Sequence, residues 1–316
     1  MNNIASYPWL SLKFKDLNLS TLPHSTLIEG SRGLGKSLLV EEIAKTLLCL
    51  ESDIHSCNGC HSCNLFNEST HPDLFINDDD SKILVDEIRG MIDFSVLSSS
   101  VSKCKIIILN NCENMNIASQ NAILKTLEEP NPNTFILMTS SKRKSLNATI
   151  YSRCNKIILK DLDQSELSDW IKLQGISDFN FYDYPAYLAP LDILKHIDEG
   201  VDSEYKNFSN AMLRFCTNDL SVNDTVKYLL DMDMPVIDKV NLLIDFFKTL
   251  LKSDLGNTPY SGKFVALNNV YLSRDLLSNT LDELNDLRSL IYKVSSINES
   301  HAFRYFISKL SLAVKQ

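Results

Sequence analysis

The sequence predicts an α/β domain built on a parallel sheet, followed by a region made of helices alone. Three observations carry that expectation. Over residues 1–160 short β-type apolar runs alternate with stretches of helical periodicity. A glycine-rich turn stands between the first such run and the first long helical pattern, and after Asp161 the β signals stop.

The first run is STLIE at Ser25–Glu29, and the later ones fall at 73–77, 105–110, 134–139 and 155–159. Between them KSLLVEEIAKTLLCL, residues 36–50, repeats apolar side chains at helical spacing, as do 83–94 and 117–127. The last of these stops ahead of Pro130, whose ring and missing N–H end a helix. KIIILN is apolar almost throughout, the pattern of a strand covered on both faces. Beyond 160, DLDQSELSDWIKL opens with capping-type residues and sets Leu167, Trp170 and Ile171 on one helical face. Residues 236–251, 276–294 and 302–314 are longer amphipathic patterns, separated by polar, turn-prone stretches such as SDLGNTPYSGK. There is no internal repeat, and Trp170, Phe246 and Phe247 read as core.

With 316 residues and 44% hydrophobic side chains the chain is long enough for two or three domains. Nine Gly, nine Pro and no biased tract exclude collagen-like and wholly disordered classes. No apolar run approaches the ~20 residues that span a bilayer, and the opening lacks the basic start and apolar stretch of a signal peptide. A cytoplasmic protein with no membrane association is expected. The net charge of −9 is uneven, with 16 basic and 17 acidic residues before 161 and 15 against 23 after it. Global electrostatic adhesion to DNA is therefore excluded, and any nucleic-acid contact falls to a local patch in the near-neutral half.

GSRGLGKS, residues 30–37, follows STLIE and opens a helix, which is the context that gives the GxxxxGK[ST] pattern its meaning. Gly30, Gly33 and Gly35 free the backbone N–H groups to curl around phosphate oxygens. Lys36 can reach the β and γ phosphates, and Ser37 can offer a hydroxyl to Mg²⁺. A chance glycine-rich turn is the plain alternative. Hydrolysis asks for more: a carboxylate for the metal at the end of a neighbouring strand and a group that activates water. KIIILN runs instead into Asn110 and Asn111, two amides that bring no negative charge and accept no proton at neutral pH. Loss of a base removes roughly 10²- to 10⁴-fold in rate. Glu113 lies three residues past Asn110 and is assigned to the following turn. Thr139, closing TFILMT, faces the place of a γ-phosphate, and a strand-capping Thr explains it equally.

Cys49, Cys57, Cys60 and Cys63 supply four soft ligands whose two CxxC steps suit a closed tetrahedral zinc site, which is structural because no position remains for substrate. Cys49 ends an apolar helical run and can instead be core, leaving His55 or His61 as fourth ligand. Arg153, in SRC ahead of the last strand, places a guanidinium at the edge of the sheet. It can stabilise phosphate charge on an adjacent subunit or be an ordinary ion-paired surface Arg. Lys142, Arg143 and Lys144 read as a solvated loop rather than a DNA contact.

YPWL, GSRGLGKS, CNGCHSCNLF, SQNAILKTLEEP and TIYSRC, in that order, resemble the delta-prime subunits of the bacterial DNA polymerase III clamp loader, over roughly residues 7–160. The resemblance implies an AAA+ module, in which the parallel-sheet domain is followed by a small helical lid and an all-α collar domain that holds a five-subunit ring together. It implies zinc on Cys49, Cys57, Cys60 and Cys63. It places the family's arginine finger, acting in trans on a motor subunit, at Arg153. It matches Gly30, Gly35, Lys36 and Ser37 to the P-loop of active relatives. The lid's usual sensor arginine would lie near LAPLDILK, residues 188–195, which carries none.

The expected architecture is therefore an AAA+ nucleotide-binding-type domain with a zinc insertion over 1–160, a helical lid over 161–207 and a collar over 208–316. The expected role is a stator that holds ATP and Mg²⁺ at most without hydrolysing them, inside the polymerase III holoenzyme. Its partners are gamma/tau-type motor and delta-type subunits in a hetero-pentamer, with the sliding clamp and primed DNA reached through the complex. The rivals are a self-sufficient P-loop ATPase and a zinc-containing DNA-binding module.

Overall fold

A computed structural model of the chain describes residues 4–77, 82–200, 202–257, 259–260, 262–291, 293 and 297–315. Contacts divide it into two compact units, 1–163 and 164–316.

The first unit runs α1 (Pro8–Lys15), β1 (Ser25–Glu29), α2 (Lys36–Leu48), α3 (His61–Asn67), β2 (Leu74–Asn77), α4 (Val85–Val96), β3 (Lys105–Leu109), α5 (Ile117–Glu128), β4 (Thr134–Ser140), α6 (Ala148–Tyr151) and β5 (Asn155–Ile158). All five strands pair in parallel, in the order β2-β3-β4-β1-β5. Every residue of β1 and β3 is buried, and in β3 the buried stretch reads as the unbroken apolar run Ile106–Leu109. Leu27, Ile107, Leu109, Ile136 and Met138 share one face with Ile88 and Met91 of α4 and Ile123 of α5. The alternate residues Ile28, Ile106, Ile108 and Leu137 are equally buried, and α2 packs across β1, β3 and β4. With β4 between them, β1 and β3 are not direct neighbours; the residues just past β3 meet Thr139 of β4, and Ser140 of β4 meets Gly30.

In the second unit α7 (Gln164–Leu173), α8 (Pro190–Asp198), α9 (Asp202–Cys216), α10 (Val222–Asp231) and α11 (Val236–Leu255) are followed by β6 (Tyr271–Leu272), α12 (Arg274–Ile291), α13 (Glu299–Ala313) and β7 (Val314–Lys315). One apolar cluster joins Tyr182 to Val314, with Phe247, Phe264 and Phe303 fully buried at its centre. Residues 206–210, where the sequence puts the lid's limit, lie within α9. The end of the helix expected at 276–294 lies outside the described residues, as do residues 1–3. The β signals do not vanish after 160: β6 and β7 form a two-residue antiparallel ribbon, too short to leave a period-two pattern. Among the described residues no helix is long and apolar enough to cross a membrane.

A buried polar knot ties the first unit together. Asp73, 0% exposed, accepts backbone N–H bonds from Ser100 (2.6 Å), Val101 (2.7 Å) and Ser102 (2.8 Å). Its own N–H donates to His71 Nδ1 (3.0 Å), which leaves the proton on Nε2, 2.8 Å from Ser62 Oγ and 3.2 Å from Ser102 Oγ. Burial raises the Asp73 pKa, but the three N–H donors outweigh it and hold the carboxyl below its ordinary value. A depressed carboxyl pKa contributes stability that is present above the ordinary value and lost as pH falls through the folded one. Asp73→Asn is expected to cost about 2 kcal/mol at neutral pH, the gap to wild type closing below about pH 4. Urea unfolding at several pH values checks this, and a gap independent of pH would contradict it.

Candidate functional site

The carboxyl ends of the parallel strands share one rim of the sheet, and the loops that leave them build the site. After Glu29 the chain turns through the glycine loop into α2. Gly33 and Gly35 take φ of 75° and 82°, the left-handed region that glycine alone adopts freely, and a Cβ on Gly30 would meet Leu159 at 3.0 Å. The Trp9 indole donates to the Leu34 carbonyl (3.0 Å) and clamps the loop from α1. Lys36, 7% exposed, stretches its ammonium back across the loop to the carbonyls of Gly30 (3.0 Å) and Ser31 (2.9 Å). Ser37 is exposed in the first turn of α2. The cradle therefore has its backbone turn, its cation at the mouth and an open hydroxyl, a donor set that fits a phosphate chain with Mg²⁺.

Adjoining strands close the rim. Gly30 N–H donates to the Ser140 carbonyl (3.2 Å), placing the last residue of β4 against the start of the loop. One residue earlier the Thr139 hydroxyl accepts from Asn111 N–H (3.1 Å) and donates to Asn110 Oδ1 (3.2 Å). Thr139 thus ties β3's end to β4's end, and its hydroxyl is committed to that tie. Asn111 itself sits at φ 53°, which an Asn tolerates better than a Glu. Glu113 belongs to the 3₁₀ turn Cys112–Asn114 and accepts from Ser141 N–H (3.0 Å). Its other oxygen is buried with no partner among the described residues.

The four cysteines converge. Cys49 caps the end of α2, Cys60 caps the start of α3, and the Sγ atoms of Cys49, Cys57, Cys60 and Cys63 all lie within 4.8 Å of one another. The Cys57–Cys63 separation is 3.9 Å, and the edge of a zinc–thiolate tetrahedron with bonds of ~2.3 Å is about 3.8 Å. Cys60 N–H points at Cys57 Sγ (3.3 Å) and Cys63 N–H at Cys60 Sγ (3.4 Å). Burial opposes ionisation of Cys60, yet the Leu50 and Cys63 N–H groups bring its thiol down to about 6. Burial and the neighbouring Cys60 sulfur push Cys63 up to about 12. Four thiols this close fit a soft divalent metal such as zinc, and neither His55 nor His61 joins the set.

The remaining candidates are Arg153, which precedes the edge strand β5, and the basic loop that follows the central strand β4. Arg153, just past α6, donates through Nε and Nη2 to Glu128 Oε1, the former at 2.8 Å, and through Nη1 to the Thr149 carbonyl (2.9 Å) and Ser152 Oγ (3.3 Å). Lys142, Arg143 and Lys144 are exposed in the loop after β4.

Sequence reasoning missed three contributors. Glu29, buried at the end of β1, accepts from the Tyr151 hydroxyl (2.9 Å) and so links the strand before the cradle to the segment that carries Arg153. Glu128 is the last residue of α5, in a motif read only as a helix end. The His71–Ser62–Ser102 cluster, with both hydroxyls donating to the Leu48 carbonyl (2.7 and 2.8 Å), seats the cysteine loop on β2. A lone buried His leaves no pattern to read, whereas the acid pair ahead of Pro130 was a visible signal.

Zinc equal to the protein by elemental analysis is the expected outcome, with a melting temperature lowered by roughly 5 °C or more in Cys60→Ser. Substoichiometric metal, or unchanged melting in that variant, would contradict the site.

Comparison with known proteins places this geometry. The family model described as DNA polymerase III, delta subunit, matches residues 11–163. The DNA polymerase III subunit delta' of Haemophilus influenzae is 32% identical over 217 residues, 65% of each chain, and that of Pseudomonas aeruginosa is 35% identical over 153 residues, 47% of each. These matches span less than two thirds of the relatives' own length. A solved DNA polymerase III gamma subunit-related protein from Thermotoga maritima aligns over 96% of this chain and 99% of its own at 17% identity, with a TM-score of 0.43.

Proposed function

We propose, from the match of residues 11–163 to the DNA polymerase III, delta subunit, model and their similarity to delta' subunits, that the chain is a delta-prime-type clamp-loader stator: it assembles with motor subunits, does not hydrolyse ATP itself, and lends Arg153 to a neighbour's nucleotide. The observation that carries the reading is the rim where β3 ends in two amides, Asn110 and Asn111, beside an otherwise complete cradle.

Nucleotide bound there would present its phosphates to the backbone of Gly30, Gly33 and Gly35, to Lys36 and, through Mg²⁺, to Ser37, the metal supplying charge neutralisation. Lys36 would then turn its ammonium to phosphate from the Gly30 and Ser31 carbonyls it now satisfies. Asn110 offers a carbonyl dipole in place of a charged metal ligand, and neither Asn110 nor Asn111 can take a proton from water at neutral pH. Of the two carboxylates near the loop, Glu113 accepts from the backbone of Ser141 and Glu29 from the Tyr151 hydroxyl. Thr139 spends its hydroxyl on holding β3 to β4.

Arg153 belongs to a different surface of the same domain. A guanidinium set at an interface completes a partner's phosphate site and is worth about 10³ to 10⁵ in rate at that site. The closed cysteine cluster pins the loop after α2 and takes no part in chemistry. In this reading residues 161–207 act as the helical lid and 208–316 as the collar, and gamma/tau-type and delta-type subunits complete the ring that handles the clamp and primed DNA. The rival reading, a self-sufficient ATPase, draws on the complete cradle and the spare oxygen of Glu113.

Steady-state assays separate the two. The purified chain is expected to turn over ATP no faster than Lys36→Ala, and turnover abolished by Lys36→Ala would establish the rival. In a loader assembled with its motor and delta-type subunits, Arg153→Ala is expected to leave assembly intact and to lower DNA-stimulated ATPase. Unchanged turnover would reject the role of Arg153.

A further inference from the structure

Resting on the reading of Arg153 as an interface finger, we propose that Glu128 is a latch: it holds the guanidinium in cis in the unassembled chain and is exchanged for the partner's phosphate on docking. Arg153 has five N–H donors, and four are already used within its own domain. Nε and Nη2 converge on a single Glu128 oxygen, while Nη1 spends both hydrogens on the Thr149 carbonyl and Ser152 Oγ. One N–H remains. A bidentate clasp on phosphate needs two parallel donors, so the finger cannot engage a nucleotide in this arrangement without giving up at least one bond to its own chain.

Two features single out Glu128 as the contact that gives way. The pair is partly open to water, with the side chains 28% and 47% exposed for Arg153 and Glu128, and pairs in such surroundings hold weakly. A polyphosphate of higher charge outcompetes a lone carboxylate there. Glu128 is also the last residue of α5, followed by Glu129, at the helix end where the dipole disfavours an acid. Helix stability gives no reason for a carboxylate at this place, whereas the guanidinium opposite does. The Tyr151–Glu29 bond keeps the backbone of the finger segment fixed to β1, so release moves the Arg153 side chain and leaves the strand in place.

The test uses the full chain in a loader assembled with its motor and delta-type subunits, comparing wild type, Glu128→Gln, Arg153→Ala and the double variant. Turnover is measured without DNA, with separate kcat and KM for ATP. Glu128→Gln keeps shape and removes charge, and is expected to raise DNA-independent kcat about threefold, the scale set by one exposed pair, with assembly intact. The double variant is expected to match Arg153→Ala. A fall in turnover with Glu128→Gln would make the acid a positioning support instead of a latch, and no change beside a lowered Arg153→Ala would remove its role; either overturns the proposal. Unchanged turnover in Arg153→Ala overturns the finger reading itself, and the latch with it.

Discussion

Holding a triphosphate and cleaving it place different demands on a fold. Backbone N–H groups and one ammonium suffice to hold it; cleavage adds a negatively charged metal ligand and a proton acceptor at the same rim. A parallel sheet supplies both from different strands, because all its strands finish on one edge. Here the edge delivers the first set through Gly30–Lys36 and answers the second with Asn110 and Asn111. The hydrogen bonds that join them, from Gly30 N–H to the Ser140 carbonyl, from the Thr139 hydroxyl to Asn110 Oδ1 and from Asn111 N–H to that hydroxyl, keep these parts in fixed register whether or not chemistry follows.

Helix α2 joins the two specialised regions of the domain. Its first residue is the lysine of the cradle and its cap is Cys49, so a rod of about 20 Å runs from the glycine loop to the cysteine cluster. The far end is held by the cysteines and by the Ser62, Ser102 and His71 side chains gathered under the Leu48 carbonyl. Fixing that end limits how far α2 can tilt, and with it the N-terminal turn that faces phosphate. The cysteine cluster thereby supports the cradle without touching it. The same economy of parts applies at the opposite edge, where Tyr151 connects the strand before the cradle to the segment of Arg153.

Much of this was legible in the residues. The five parallel strands emerged within a residue or so of where the β-type runs place them, most plainly β3, whose full burial leaves the apolar stretch of KIIIL. The glycine loop and the cysteine cluster were legible because both use local spacing, and the structure brings the Cys49 thiol, not a histidine, within 4.8 Å of the other three. What escaped depends on distance in sequence. Asp73 meets Ser100–Ser102, Glu29 meets Tyr151 across 122 positions, and Glu128 meets Arg153 across 25, contacts for which a single chain carries no periodic signal. Short elements escaped for a different reason: α3 has seven residues and the β6–β7 ribbon two per strand, less than the span over which a period shows. Strand order also had to come from the structure, which sets β4 between β1 and β3 and gives Thr139 its bridging position.

The central claim is that the cradle and its amide rim hold nucleotide intact. A single-turnover measurement reaches it most directly: purified chain in excess over γ-labelled ATP with Mg²⁺, bound nucleotide separated from free, and label followed with time. The account expects bound label to remain in ATP for as long as the protein stays folded. Release of stoichiometric phosphate from the bound fraction, lost on substitution of Glu113 by glutamine, would contradict it.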